Sequence, residues 1–213
     1  MAVAYDADAQ ASGAGVSSRT TAEFTISGSD RVGLLGLGFS GAAISARSGS
    51  IGGTTGAEVT STYTDNTFAG STIFRVTAPP SGAQTGTMAW TTAVDAVLGA
   101  ITFTGVHQTT PTNGGTAITD FATSASRTVT TTSGDMSFSA GMHDTVSGVP
   151  THTRTLQWNT LLTGAIYGFG ATGPGNTSSD IHTYEGAGSD NVSVSGCNLV
   201  QAAATTESGG LFW

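Results

Sequence analysis

Four histidines are the side chains of this 213-residue chain that are best suited to chemistry near neutral pH. His143, His152 and His182 fall in loop-like stretches, and His143 is followed by Asp144. A zinc site needs several converging ligands, and paired histidines often stand at i, i+4 on a helix. The three histidines lack that spacing, and no short loop carries more than two carboxylates for calcium. We therefore expect neither a bound metal nor another cofactor.

Catalytic nucleophiles are also poorly supported by the sequence. The elbow G-x-S-x-G is missing, because Gly38-Phe-Ser-Gly41 is one residue short and no helical pattern follows it. Cys197 stands in a strand-like alternation, where a small buried side chain is more common than a reactive thiolate. The glycine cluster 33–38 faintly resembles a dinucleotide loop but lacks the following helix, so we interpret it as a strand whose small residues face another sheet. No catalytic residue is predicted, and the chain is not expected to be an enzyme.

Carboxylates are the remaining catalytic candidates, because glycoside hydrolysis uses a pair of them across a cleft. The aspartates and glutamates number 14, are spread thinly and lie mostly at turn positions. Asp95 is the exception, since it lies inside an apolar stretch. We expect it at a sheet edge or in an ion pair with an arginine such as Arg75.

Aromatic side chains offer the best binding hypothesis, since Trp90, Trp158 and Tyr167 could stack on the faces of sugar rings. Each of them alternates in phase with apolar neighbours, which is typical of a residue in a sandwich core. Core positions are therefore favoured, and a carbohydrate-binding or adhesin module with a glycan partner stays as the alternative function. Burial of both tryptophans would count against that alternative.

The stretch Phe103-Thr-Gly-Val-His-Gln-Thr-Thr-Pro111 contains the remaining histidine and follows the most apolar run of the chain. Gly105 permits a bend, and Pro111 forces Thr110 into an extended conformation. No carboxylate lies near His107 in the sequence. We therefore interpret the stretch as a corner between a buried strand and a loop.

Charge limits the partners that the chain can bind. Charged residues make up 9% of the sequence, the net charge is −8 and all six basic residues are arginine. Nucleic acid binding needs a clustered basic surface, and an anionic membrane would repel the chain as well, so neither partner is expected. Hydroxyl side chains take the place of charges, because threonine alone occurs 38 times and its β-branched side chain favours strands.

The beginning of the chain, MAVAYDADAQ, lacks the basic residues of a secretion signal. No run of about 18 apolar residues suggests a transmembrane helix. We expect folding in a cytoplasm and, for a protein that works outside the cell, release by lysis.

Alternation with a period of two residues predicts about a dozen strands and no convincing amphipathic helix. The segment 94–104 is apolar on both faces, which predicts a central strand buried on both sides, with a helix over 92–98 as the alternative. Ser133-Gly-Asp135 is predicted to join two paired strands as a hairpin loop. The pattern as a whole predicts an all-β protein, an antiparallel β-sandwich of the jelly-roll type.

The sandwich domain is assigned to residues 18–202. Residues 1–17 are small and polar without periodicity, so they are predicted to be an arm or a poorly ordered end. Residues 203–213 form a tail that either folds back on its own sandwich or anchors in a pocket of a neighbouring subunit. The anchor would consist of three large apolar residues behind a diglycine: Leu211, Phe212 and Trp213.

Five segments show, in order, the pattern of a known family: 30–39, 71–82, 99–111, 127–138 and 194–200. They resemble a Gly/Thr-rich β-sandwich family found in tailed-phage virion proteins and in some bacterial surface proteins. The corner F-T-G-V-x-Q-x-x-P is the most specific piece, and the match spans about residues 18–202.

The resemblance implies a jelly-roll-like sandwich, a structural or attachment role in a phage particle, and no catalytic residues to carry over. The expected function is that of a non-enzymatic virion protein, either a capsid decoration subunit or a tail or fibre component. Its expected partners are copies of itself, for example in a trimer, and other virion proteins such as the major capsid or tail proteins. Its expected location is the virion, after assembly in the host cytoplasm.

Overall fold

The computed structural model describes residues 2–64, 69–144, 151–162, 164, 166–175 and 180–203. These residues form strands, turns and bends without a helix, so they contain no helix that could span a membrane. The strands are β1 (Ala4–Thr20), β2 (Phe24–Ile26), β3 (Val32–Ser40), β4 (Ser48–Ile51), β5 (Thr54–Thr55), β6 (Ala57–Thr64), β7 (Ala69–Thr77), β8 (Gly82–Gln84), β9 (Gly86–Thr104), β10 (Thr112–Val129), β11 (Met136–Asp144), β12 (Thr151–His152), β13 (Thr155–Leu162), β14 (Ile166–Pro174) and β15 (Asp180–Leu199). The prediction of an all-β fold is confirmed.

Two antiparallel sheets lie face to face. The first sheet has the order β5-β4-β9-β3-β7-β6. Strands β3 and β4 both pair with one edge of β9, and β1 pairs along the opposite edge. The second sheet has the order β10-β15-β11-β14-β13, and β12 pairs with β15. Because β7 faces β11 and β15 while β9 faces β13 and β14, the strand order of one sheet follows that of the other, as in an aligned sandwich.

Trp158 of β13 fills the space between the sheets at a place where three other strands carry glycine. A Cβ atom on Gly99 or Gly170 would overlap the indole ring, and one on Gly36 would overlap Ala140 of the second sheet. The close approach of these backbones is possible because glycine has no side chain. For Gly36, the prediction that glycines of the segment 33–38 face another sheet is confirmed.

Each sheet also curls into a half-barrel, because a long strand folds back over the outer face of its own sheet. In the first sheet, a Cβ atom on Gly86 would lie 2.5 Å from Cβ of Ala100, although both residues belong to β9. In the second sheet, Thr116 and Thr128 of β10 approach each other in the same way, and the Thr116 hydroxyl lies 3.5 Å from the carbonyl oxygen of Thr128. The described residues therefore enclose one interior between the sheets and one inside each half-barrel.

The predicted central strand over 94–104 is confirmed, and the helical alternative over 92–98 is wrong. Strand β9 pairs with β1 on one side and with β3 on the other, and its later half is buried. Asp95 does not pair with Arg75. Its Oδ1 accepts the backbone N–H of Gly15 at 2.8 Å, at a bulge of β1 where the φ angle of Gly15 is +58°. The carboxylate therefore stabilises an irregular turn of the neighbouring strand.

Of the two alternatives for residues 1–17, the poorly ordered end is wrong for residues 4–17, because they belong to β1, a strand of 17 residues that pairs along β9. Asp6 holds β1 in place, since its carboxylate accepts hydrogen bonds from Ser27 and Thr102. Burial alone would raise the pKa of Asp6, but these hydrogen bonds hold it below its ordinary value. Small residues and three register shifts hid the alternation of β1 in the sequence.

The hairpin predicted at Ser133-Gly-Asp135 is also wrong, because β10 and β11 lie on opposite sides of β15 instead of pairing with each other. The carboxylate of Asp135 closes this connection. Its Oδ2 accepts the Thr132 N–H at 3.0 Å, and its Oδ1 accepts the Gln201 N–H at 2.9 Å.

Candidate functional site: a buried histidine layer

The outer face of the second sheet carries the histidines that the sequence placed in loops. His143 lies in β11, His152 in β12 and His182 in β15, so the loop prediction for all three is wrong. The face is covered by the folded-back end of the β10–β15 ribbon, residues 124–129 and 180–185, which we call the cover. We call the imidazoles of His143, His152 and His182 the histidine layer, in which His182 belongs to the cover itself.

The imidazole of His182 lies between two serine hydroxyls of β11. Its Nδ1 lies 2.7 Å from Oγ of Ser139 and its Nε2 lies 2.7 Å from Oγ of Ser137, and all three residues are buried. Ser137 donates its one hydroxyl hydrogen to the carbonyl of Gly173 at 3.2 Å. These contacts tie the imidazole of β15 to β11.

His152 brings the second imidazole of the layer. Its ring centroid lies 4.5 Å from that of Phe169, which projects from β14. Burial lowers the pKa of His152 to about 4, and the neighbouring His182 contributes to this shift. His152 is therefore neutral at pH 7.

His143 lies at the other end of the layer, with Asp190 nearby and Asp144 next to it in β11. Burial lowers the pKa of His143, and the nearby Asp190 opposes that shift. Burial also raises the pKa of Asp144, although Asn191 donates to its Oδ2 at 2.6 Å and the Ser40 hydroxyl to its Oδ1 at 3.3 Å. Both residues are therefore biased towards their neutral forms by removal from water.

The chemistry open to this arrangement is proton uptake inside a closed interior. A serine hydroxyl next to a histidine nitrogen can form a nucleophile, but Ser139 is fully buried. No group of three His, Cys, Asp or Glu residues suited to holding a metal occurs among the described residues. The layer places three imidazoles together, and burial lowers the pKa values of His143 and His152.

The aromatic residues proposed as a sugar platform are mostly core residues. Trp90 and Trp158 are both buried, which confirms the preference for core positions, and the indole N–H of Trp90 donates to the carbonyl of Val16 at 3.0 Å. Tyr167 is half-buried. The candidate anchor residues lie outside the described part of the chain: Leu211, Phe212 and Trp213.

Two other predicted positions agree with the structure. Cys197 is fully buried, and burial raises the pKa of its thiol to about 12. Gly105 has a φ angle of +69° at the end of β9, and Nδ1 of His107 accepts the N–H of Thr110 at 3.0 Å, as expected for a strand-to-loop corner.

The described surface has a shallow depression of about 150 Å³ on the first sheet. It lies where β4, β5 and the beginning of β9 meet, and small or hydroxylated residues line it: Ser48, Gly49, Ser50, Thr55, Thr87 and Ala89. No charged side chain lines the depression.

The alternation of polar and apolar residues along β11 was one indication of the histidine layer in the sequence. Ser137, Ser139 and His143 alternate with Phe138 and other apolar residues along β11. Polar residues on one face of a strand normally indicate solvent, yet here they face the cover. Only a second layer over that face converts the same pattern into a buried site.

Comparisons of the chain with family models, with curated proteins and with solved structures found no match in any of the three.

Proposed function

We propose that the chain is a non-enzymatic structural protein of a tailed-phage virion, either a capsid decoration subunit or a tail or fibre component. The phage setting comes from the sequence resemblance, whose implied sandwich agrees with the all-β fold. The observation that carries the assembly role is the edge strand β13. Copies of the same chain, as in a trimer, and other virion proteins are the proposed partners.

Strand β13 has the properties of an edge that pairs or packs with another protein. It pairs with β14 on one side, and no described strand pairs with its other side. Its sequence TLQWNTLL contains no charge and no proline, the features that usually protect an exposed edge from association. Leu156 and Leu161 are 37% and 43% exposed. An unprotected edge with exposed leucines favours assembly over an isolated chain.

Hydrogen bonds between neutral side chains join the sheets into one block. The hydroxyl of Ser71 in β7 lies 2.8 Å from the hydroxyls of both Ser193 and Ser195 in β15, and all three are fully buried. These contacts are less sensitive to salt than ion pairs, because salt screens charges. Such a block suits a subunit whose role is to keep its shape in a larger assembly.

The test of the assembly role is the oligomeric state of the purified chain. Native mass spectrometry should show an oligomer for the parent chain and mostly monomer for Leu161→Lys, because a charge at the edge must be desolvated on association. The matched control is Thr92→Lys, since Thr92 is exposed on β9 in the other sheet. A monomeric parent chain, or equal oligomers in all three proteins, would contradict the role of β13.

The test of the virion setting is the composition of purified phage particles. We expect the chain to sediment with intact particles at a fixed copy number relative to the major capsid protein. Deleting residues 209–213 should reduce that copy number under the anchor hypothesis and leave it unchanged when the tail only folds back. Absence of the chain from particles would overturn the virion proposal.

For the alternative function, a carbohydrate-binding or adhesin module, the two tryptophans are buried in the core. What remains for glycan contact is the half-buried Tyr167 and the hydroxyl-lined depression on the first sheet. Binding on a glycan array that is lost on Tyr167→Ala would favour this alternative.

A further inference from the structure

We propose that β13 pairs with β13 of a second copy of the chain, antiparallel and around a two-fold axis that passes through Thr160. The second sheets of the two copies then form one continuous sheet, and the assembly closes at two copies instead of three. This inference rests on the proposed assembly role of β13, because it names the partner of that edge.

The first step is the length of β13 that a partner strand can follow. A register shift lies between Leu156 and Trp158, but the five residues 158–162 pair with β14 without interruption. Pairing needs such an unbroken stretch, because a bulge disturbs the row of backbone N–H and C=O groups. The outer edge of 158–162 is therefore the part of β13 that offers regularly spaced hydrogen-bonding groups to a partner.

The centre of this stretch fixes the register of the self-pairing. Side chains alternate between the two faces of a strand, and directly opposed residues share a face. A two-fold axis perpendicular to the sheet keeps each face on its own side, so one residue must lie on the axis and oppose itself. All five residues take part only when the middle one, Thr160, has that place. Trp158 then opposes Leu162 of the second copy. Asn159 opposes Leu161 of the second copy.

The hydroxyl of Thr160 supports this register. Its Oγ1 is buried and has no hydrogen-bond partner among the described residues. The residue opposite it on β14 is Gly168, which has no side chain to offer. Buried polar atoms without a partner are rare in native proteins. Because the Cβ atoms of opposed residues lie about 4.5–5.5 Å apart and a hydroxyl both donates and accepts, the two Thr160 hydroxyls can bond to each other across the axis.

The exposed leucines lie on the other face of the same edge. Leu156 opposes Ala171 of β14. Leu161 opposes Tyr167, four residues earlier on the same face of β14. The bulge therefore brings both leucines to the face opposite to that of Trp158, where they are 37% and 43% exposed. A second copy at this edge removes part of that apolar surface from water, which favours association.

Charge favours another β13 over the other long edges of the molecule. The net charge of −8 makes two copies repel each other, so they meet best through uncharged surfaces. The other long edges carry charges and register shifts: Asp6 and Asp8 on β1, Glu58 on β6, and Asp120 and Arg127 on β10. Such features protect an edge from association. Of the long edges that the structure describes, β13 is the uncharged one.

Self-pairing also determines the size of the assembly. Pairing of β13 with a different edge would leave one β13 free at the end of every growing row of copies. Pairing around a two-fold axis uses the same patch on both copies and leaves no β13 free. The expected product is a closed dimer.

The first experiment is disulfide trapping on the full chain. Thr160→Cys places two thiols at the axis, so mild oxidation should convert most of the chain into a covalent dimer, with the link located at position 160 by peptide mass spectrometry. Asn159→Cys is the matched control. Its two copies are offset by two residues, which puts their Cα atoms more than about 7 Å apart, and a disulfide cannot bridge them without backbone movement. Cys197 is fully buried and should not react.

The second experiment needs no variant. Native mass spectrometry should show two copies of the 21.1 kDa chain. In hydrogen exchange, the amides of 158–162 should gain protection as the protein concentration rises, because the partner strand accepts their hydrogen bonds. Peptides from β6 should show no dependence on concentration, since its charged edge stays free.

Four results would overturn the self-pairing. A trimer or an open row of copies, with no trapping through Thr160→Cys, contradicts the two-fold axis and leaves the assembly role of β13 standing. A monomer at every concentration contradicts the assembly role as well. A dimer trapped as readily through Asn159→Cys as through Thr160→Cys contradicts the register. Protection of 158–162 that is independent of concentration and lost on deletion of residues 209–213 would assign the edge to the tail of the same chain.

Discussion

The two half-barrels have the same construction and opposite interiors. In each, a long strand folds back over the outer face of its own sheet, and a partner strand follows it through bulges. The first interior is filled with aliphatic and aromatic side chains such as Leu37, Phe74 and Met88. The second contains the histidine layer and the hydroxyls of Ser137 and Ser139 above a small apolar floor. Similar backbones therefore enclose a stable core in one sheet and a proton-sensitive layer in the other.

The difference teaches that curling a sheet does not require an apolar filling. Water must leave both interiors, and in the first this burial is favourable in itself. In the second, polar groups can be buried because they bond to one another, and their net contribution to stability is small. The first half-barrel should therefore dominate the stability of the fold, and the second should determine how it responds to acid.

The largest expected effect is in the first interior. Leu37→Ala should lower the free energy of unfolding by about 2–5 kcal/mol, because the fully buried side chain leaves a cavity. Urea denaturation followed by tryptophan fluorescence measures the loss. Leu161→Ala is the control, since Leu161 is 43% exposed and should lose much less. Equal losses in the two variants would refute the dominance of the first core.

Replacing the histidine that the serines contact should have a smaller effect. His182→Leu should cost about 1–3 kcal/mol, because it leaves buried serine hydroxyls without their imidazole partner. The triple variant Ser137→Ala, Ser139→Ala and His182→Leu should recover most of that loss, since the two hydroxyls that contacted the imidazole are removed with it. Unfolding in urea at pH 7.5 compares the two. A triple variant as unstable as the single one would show that the shape of the imidazole matters more than its hydrogen bonds.

The pH dependence of stability comes next in size. The lowered pKa values of His143 and His152 mean that the folded state binds fewer protons than the unfolded state, so stability is lost as the pH falls below 6.5. Asp144 acts in the opposite direction. Its raised pKa means that the folded state binds more protons than the unfolded state, so it favours folding as the pH falls towards the ordinary pKa of an aspartate. From His152 alone, we expect a loss of about 1.4 kcal/mol between about pH 7.5 and 5.5.

Urea midpoints at the two pH values measure this loss, and His152→Phe should lack most of it. A parent chain that is more stable at pH 5.5 than at 7.5 would mean that the carboxylates outweigh the histidines.

The smallest effect concerns the bulge of β1 in the first sheet. Asp95→Ala removes the acceptor of the Gly15 N–H and should cost about 1 kcal/mol, with faster amide exchange of residues 13–16. Asp95→Asn keeps a side-chain oxygen and is the matched control. If both variants exchange like the parent, the bulge holds its shape through the strand pairing alone.

Sequence reasoning succeeded where the alternation within a single strand predicts which face is buried. Leu35, Leu37 and Phe39 alternate with glycines in β3, and the structure places them in the first core. The apolar run of β9 predicted its central place, and phase with apolar neighbours predicted the burial of Trp90 and Trp158. These assignments depend on local periodicity, which the sequence shows directly.

Sequence reasoning failed where burial depends on a distant segment. The small residues of β1 carry no clear alternation, and what makes them a strand is the edge of β9, about 80 residues away at Gly15 and Asp95. His143 and His182 were assigned to loops, because a polar residue next to Ser, Thr or Asp is normally solvated. Nothing local could indicate that the cover lies over them.

By itself, the sequence determined that this chain is all-β, because alternation and β-branched residues are local properties of the strands. It also determined a surface low in charge. Only the tertiary structure decided which faces are dry. A polar stripe on a strand looks the same whether it meets water or another layer, and the folding back of the β10–β15 ribbon, a contact between parts far apart in the chain, encloses the histidines.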